Sequence, residues 1–149
     1  MLYAETSAVL RWLLRQEHAE PVRVELERAE RVAASQLTPL ECRRVLARLT
    51  PELDARSNAA LRQMLFDAIQ RWVLVEIDQP VRDRAGEPFP LEPVRALDAI
   101  HLATCLEIER ALGPVTVLSV DQRVRDNALR LGLRVVPETL APTGPAVRP

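Results

Sequence analysis

With 149 residues the chain has room for one full hydrophobic core and not for two ordinary domains. Nearly half the residues are apolar but only 3% are aromatic, so Leu, Val, Ile and Ala must build that core. A formal charge of −1 excludes a uniformly basic nucleic-acid coat and leaves room only for a local basic patch.

All 20 basic residues are arginine. The absence of lysine rules out a Walker-A lysine, a Schiff base and a phosphoacceptor domain with lysine beside its aspartate. Arginine remains well suited to forked phosphate contacts. Cys42 and Cys105 lack metal-type spacing and are expected as small core residues of a reducing cytosol. No apolar run approaches a membrane span and the start lacks a signal pattern, so a cytoplasmic protein is expected.

Residues 1–4 predict a buried strand ending at Glu5. Thr6 and Ser7 are placed to cap a helix over 8–15, with Val9, Leu10, Leu13 and Leu14 inward. A second helix is expected over 21–31, then a brief strand over 32–35. Thr38-Pro39-Leu40-Glu41 has the form of a helix start: Thr as N-cap, Pro in the first position and Glu three after the cap. That helix should reach Leu49, carrying Arg43, Arg44 and Arg48. A helix over 52–71 and a strand over 72–77 follow. Residues 82–93 hold one glycine and three prolines and predict a surface loop.

Pro93 and Gly113-Pro114 bracket a helix over 94–112, of about five turns. Leu97, Ile100, Ala103, Leu106 and Ala111 define an apolar face, and Ala99, Leu102, Cys105 and Ile108 make much of the rest apolar, as in a buried helix. The β-branched run over 115–120 predicts a buried strand. Asp121 is placed to cap a helix over 122–131 that Gly132 closes, and 133–136 is a last strand. Residues 141–149 form a Pro-rich tail expected to fray. Short strands alternating with helices predict an α/β fold, a parallel sheet with helices on both faces.

Such sheets place ligands at the carboxyl ends of their strands. Glu5 and Asp121 fall at two strand ends, Glu41 begins the helix after the second strand, and Asp98 lies in the first turns of the buried helix. Each acid has an ordinary alternative: Glu41 in a capping box, Asp121 as an N-cap, Glu5 as a solvated strand end, Asp98 as a favourable charge near a helix N-terminus or a partner of Arg95 or His101. Together, carboxylates repel unless divalent cations neutralise them, and oxygen-only ligation suits Mg²⁺ or Mn²⁺ rather than zinc. Such sites serve phosphodiester hydrolysis. Ser7 is placed to donate to Glu5 or to a metal-held water, or else to cap the following helix. His101 is expected as a packed helix residue rather than a ligand. Arg43, Arg44, Arg123 and Arg125 are placed to hold phosphates or simply to be solvated.

Four stretches, LYAETSAVL (2–10), LTPLECRRVL (37–46), RALDAIHLATCL (95–106) and VLSVDQRVRDNALRLGL (117–133), occur in the order and spacing of the PIN domain, specifically of VapC-type toxin ribonucleases. The resemblance covers most of residues 1–137. It implies a three-layer α/β/α sandwich with a short parallel sheet, formed by a single domain over 1–137 with 138–149 as a tail. It implies a Mg²⁺- or Mn²⁺-dependent endoribonuclease with Glu5, Glu41, Asp98 and Asp121 as catalytic and metal-binding acids, leaving 5′-phosphate and 3′-hydroxyl ends. Ser7, Arg43, Arg44 and Arg123 would contact the RNA. A small VapB-like antitoxin and a homodimer are implied as well. In one respect the chain departs from the family: Glu5 stands where aspartate is usual. The added methylene makes a catalytically impaired metal-, RNA- or antitoxin-binding module the alternative reading.

Overall fold

A computed structural model describes residues 1–140; the tail expected over 141–149 lies outside the described residues. Five short strands form one parallel sheet: β1 (Leu2–Ala4), β2 (Val32–Ser35), β3 (Val73–Val75), β4 (Thr116–Leu118) and β5 (Arg134–Val136), in the order β3-β2-β1-β4-β5. The register aligns Tyr3 with Ala33 and Val117, and Val117 with Val135.

Alternation along the strands sorts the core into two layers. Tyr3, Val117 and Val135 pack with Leu102, Cys105 and Ile108 of α6 (Ala96–Leu112) and with Val124 and Ala128 of α7 (Gln122–Arg130). Leu2, Ala4, Leu118 and Val136 face the other way. They pack on Val9 and Leu13 of α1 (Thr6–Leu13), Val22 of α2 (Ala19–Arg28), Cys42 and Leu46 of α3 (Leu37–Leu49), and Leu65 of α4 (Ala55–Ile69). The result is the expected α/β/α sandwich, with both cysteines free and buried.

The structure corrects several local expectations. Part of the segment expected as loop is a short helix, α5 (Gln79–Ala85), capped by the Asp78 carboxylate and packed on α6 through buried Val81. Helix α1 begins at Thr6, and its cap is Glu5 rather than Thr6 or Ser7. Helix α3 begins at Leu37 with no side-chain cap, so the capping box expected at Thr38 and Glu41 does not form. Thr38 is buried, and its hydroxyl lies instead 3.3 Å from the Thr6 hydroxyl. Helix α4 starts three residues late, capped by Asp54 after a 3₁₀ turn at Thr50–Glu52. On α6 the buried face is centred on Leu102 and Cys105, and Leu97, expected inward, is 46% exposed. Asp121 does cap α7, accepting from the Arg123 and Val124 backbone N–H groups.

Candidate active site

After β1 the chain turns toward β2 on one side of the sheet, while β4 and β5 lie on the other side of β1. The carboxyl ends of β1 and β4 therefore border the topological switch point, where open α/β sheets leave a crevice. Glu5 leaves β1 there, its backbone N–H donating to the Leu118 carbonyl at 3.0 Å. Ser119 to Asp121 leave β4 on the opposite lip.

Glu5 is almost fully buried. The Ser7 backbone N–H donates to its Oε1 at 3.0 Å, the Ser119 hydroxyl donates to its Oε2 at 2.8 Å, and the Ser7 hydroxyl donates to Oε2 as well. Ser7 Oγ in turn accepts from the backbone N–H groups of Val120 and Asp121, each at 3.1 Å. Of the alternatives for Ser7, donation to Glu5 is the one realised; the hydroxyl ties the two lips together. The β4 lip is also held by Arg125, one of the arginines expected to be free for phosphates. It is buried, donating to the carbonyls of Ser119 at 2.7 Å and Pro137 at 2.6 Å. Its place is structural.

Glu41 projects from the first turns of α3 and is half-buried. Its Oε2 accepts from the Thr6 hydroxyl at 2.5 Å and from His101 Nε2 at 2.9 Å. Burial works to raise the Glu41 pKa, but the hydrogen bonds from His101 and Thr6 outweigh it and hold the carboxyl below its ordinary value. His101 comes from α6, is 2% exposed, and also lies 4.0 Å from Glu5 Oε1. The imidazole thus sits between two acids, as more than a packed helix residue. Burial alone would lower its pKa; the bond to Glu41 and the charges of Glu5, Glu41 and Asp98 raise it overall.

Asp98 and Asp121 make the second acidic pair. Asp98 lies in the first turn of α6 with its carboxylate 19% exposed and 3.8 Å from Arg123. Burial and the charge of Asp121 raise its pKa, and the guanidinium groups of Arg123 and Arg95 offset this only in part. A carboxylate held against a like charge is relieved by a bound cation. Arg43 donates from Nε to the Pro39 carbonyl at 3.1 Å, and both Arg43 and Arg44 are exposed beside Glu41. Arg44 lines a groove of about 450 Å³ that runs from Glu41 past Leu10, Leu40 and Leu97.

The donor set is oxygen-only, which suits a hard divalent cation. Among the described residues no three His, Cys, Asp or Glu side chains stand close enough together to hold a metal ion. The Asp98–Asp121 pair meets the lesser demand of Mg²⁺, which is commonly held by one or two carboxylates with water and substrate phosphate supplying the rest. Residues 2–130 match the PIN domain family. The chain belongs to that family. It is 32% identical over 135 residues to "Ribonuclease VapC46" of Mycobacterium tuberculosis, covering 91% of this chain and 95% of that protein. It is 33% identical over 140 residues to "Ribonuclease VapC35" of the same organism, covering 91% and 96%. This PIN-domain chain is thus of the VapC type. Its fold also matches FitAB bound to an IR36 DNA fragment, with a TM-score of 0.68 at 20% identity over 91% of this chain and 93% of that one. FitAcB from Neisseria gonorrhoeae gives a TM-score of 0.61 at 22% identity over 91% and 96%.

Of the residues singled out in the sequence, the fold brings Glu5, Ser7, Glu41, Asp98, Asp121 and Arg123 to one edge of the sheet. Ser119, to which no role was given, joins them, as do Thr6, expected only as a helix cap, and His101, expected only as a packed helix residue. The available signal for His101 was a histidine one turn after Asp98 on a helix with little polar surface elsewhere.

Proposed function

We propose that this chain is a metal-dependent endoribonuclease, the toxin of a toxin–antitoxin pair. The observation that carries the reading is the meeting of Glu5 and Glu41 around one histidine beside a like-charged Asp98–Asp121 pair, at the switch point of a PIN-domain sheet. The VapC relatives, named as ribonucleases, give the substrate class. Asp98 and Asp121 would be the primary ligands for Mg²⁺ or Mn²⁺, with Glu41 and Glu5 completing the acidic site. When bound, the cation would supply charge neutralisation and water activation for hydrolysis of the phosphodiester.

The chain's own residues do the rest. Ser7 and Ser119 hold the longer Glu5 side chain back against the start of α1, which places its carboxylate despite the extra methylene. Thr6 and His101 keep Glu41 ionised. Arg123 offsets the charge on Asp98 in the free protein, and substrate phosphate offers it a second partner. Arg44, exposed beside Glu41, is placed for the phosphate of a neighbouring nucleotide, and Arg43 lies next to it. A small antitoxin would cover this edge and a homodimer would present it twice, as in the toxin class the relatives belong to.

The test is cleavage of total RNA by purified, antitoxin-free protein with Mg²⁺, with Mn²⁺ and with chelator, beside Asp98→Asn. Discrete fragments that require metal and vanish in the variant are expected. No cutting by the native protein, with cutting gained in Glu5→Asp, would establish instead a binding module impaired by its glutamate.

A further inference from the structure

His101 is a buried group that the cleavage scheme uses only to hold a charge, yet both its ring nitrogens are engaged across the sheet edge. We infer that Tyr3 and His101 form a crossbar that orients the Glu41 carboxylate, making both positioning residues of the site. The inference rests on Glu41 belonging to the acidic site as read above.

Four elements converge on this ring. Tyr3 of β1 meets Nδ1 through its hydroxyl at 2.7 Å, and Thr6 of α1 lies 3.1 Å from Nε2. Glu41 of α3 accepts at 2.9 Å, and the ring itself belongs to α6. The direction of one bond follows from chemistry alone: an ionised carboxylate only accepts, so Nε2–H donates to Glu41 Oε2. The other bond holds in either ring state, because a phenol hydroxyl donates to a bare Nδ1 and accepts from a protonated one. The crossbar therefore does not depend on how His101 titrates. Tyr3 is fully buried, its ring set edge-on to the imidazole at 6.0 Å between centroids and 67° between planes. The histidine has no room to swing away.

The consequence falls on Glu41. A free glutamate has three side-chain torsions to order on binding. Here Thr6 and His101 both donate to Oε2, which fixes the carboxylate plane and leaves Oε1 without a protein hydrogen bond among the described residues. One oxygen is anchored and the other is left for the site. Partners behind a ligating carboxylate commonly set metal affinity by about 10- to 100-fold.

The experiment compares three variants with the native chain. His101→Gln keeps an N–H donor near the position of Nε2, whereas His101→Asn keeps a polar atom near Nδ1 and loses the reach to Glu41. Tyr3→Phe removes only the hydroxyl. Mn²⁺ binding, followed by water-proton relaxation, should weaken by about threefold in His101→Gln, which loses the Tyr3 contact alone, and by about tenfold or more in His101→Asn. Tyr3→Phe loses the same contact and should match His101→Gln. Equal loss in the Gln and Asn variants would overturn the inference, since a purely structural histidine does not distinguish them. A second readout needs no variant at His101. The buried ring N–H of the native protein should give an exchange-protected proton resonance that moves clearly more in Glu41→Gln than in Asp98→Asn. A resonance indifferent to Glu41→Gln would also overturn it. Failure of the nuclease reading would be seen separately, as native protein that cuts no RNA while the ring proton still responds to Glu41.

Discussion

The Asn127 side chain closes a two-point clamp on Leu91, accepting its backbone N–H at 2.9 Å and donating to its carbonyl at 3.1 Å. Asn127 is fully buried on α7, and Leu91 lies in the loop that leads into α6. The clamp thus fixes the entry angle of the helix that carries Asp98 and His101. Asn127→Ala leaves the partly buried N–H and C=O of Leu91 without these partners, so a loss of about 1–3 kcal/mol in denaturant unfolding is expected. Hydrogen exchange at residues 89–95 should accelerate more than in the sheet.

The two faces of α6 predict opposite responses to truncation. Leu102 is fully buried between the sheet and α7, and Leu102→Ala should cost about 2–5 kcal/mol. Leu97 is exposed, and Leu97→Ala should stay within about 0.5 kcal/mol of native. Equal losses at the two positions would mean that the helix is rotated from the orientation described.

The metal-free protein should be most stable in mildly acid solution. The His101 pKa is raised on folding, so its contribution is complete below the unfolded value and is lost as pH rises through the folded one. The Glu41 pKa is lowered, so its contribution is present above its unfolded value and is lost as pH falls through the folded one. The two windows overlap between roughly pH 4.5 and 6.5. Thermal melts in chelator should show a maximum there, and His101→Gln should flatten its alkaline side. A Tm indifferent to pH between roughly 5 and 8 would contradict the His101 shift, and one that does not fall below roughly pH 4.5 would contradict the Glu41 shift.

Asp98→Asn should separate folding from metal binding. Burial and the charge of Asp121 disfavour the ionised form of Asp98, so the neutral amide should raise the Tm of the metal-free protein. The native chain should gain about 1.4 kcal/mol from Mg²⁺ at ten times its Kd, a gain that Asp98→Asn should lose. A variant that is less stable in chelator would show that Arg123 contributes more to Asp98 than the acid pair costs.

Local patterns made much of the fold legible. Strand β2 falls on the expected residues because Val32–Ser35 is an apolar run between two polar stretches, and Asp121 caps α7 because a short acid after a β-branched strand has its helix donors at hand. Helix α5 was obscured because the prolines that follow it outweigh its own start signal, Asp78-Gln79-Pro80. Glu41 misled for a related reason. Thr-Pro-Leu-Glu is a sound local cap, but Thr38 and Glu41 both find a better partner in Thr6, 32 and 35 residues earlier in the chain.

The sequence by itself determined the α/β class, the order of the strands and of every helix but α5, and which four acids stand near the carboxyl edge. Periodicity and chain stops are short-range properties that a residue carries wherever its segment packs. Only the tertiary structure decided how those acids are grouped: Glu5 drawn back by Ser7 and Ser119, Glu41 anchored on His101, Asp98 set against Asp121 and Arg123. The longest of these contacts span 60 positions between Glu41 and His101 and 114 between Glu5 and Ser119. A buried hydrogen bond takes its value from the water it excludes, and that exclusion exists only once the two layers have closed on the sheet.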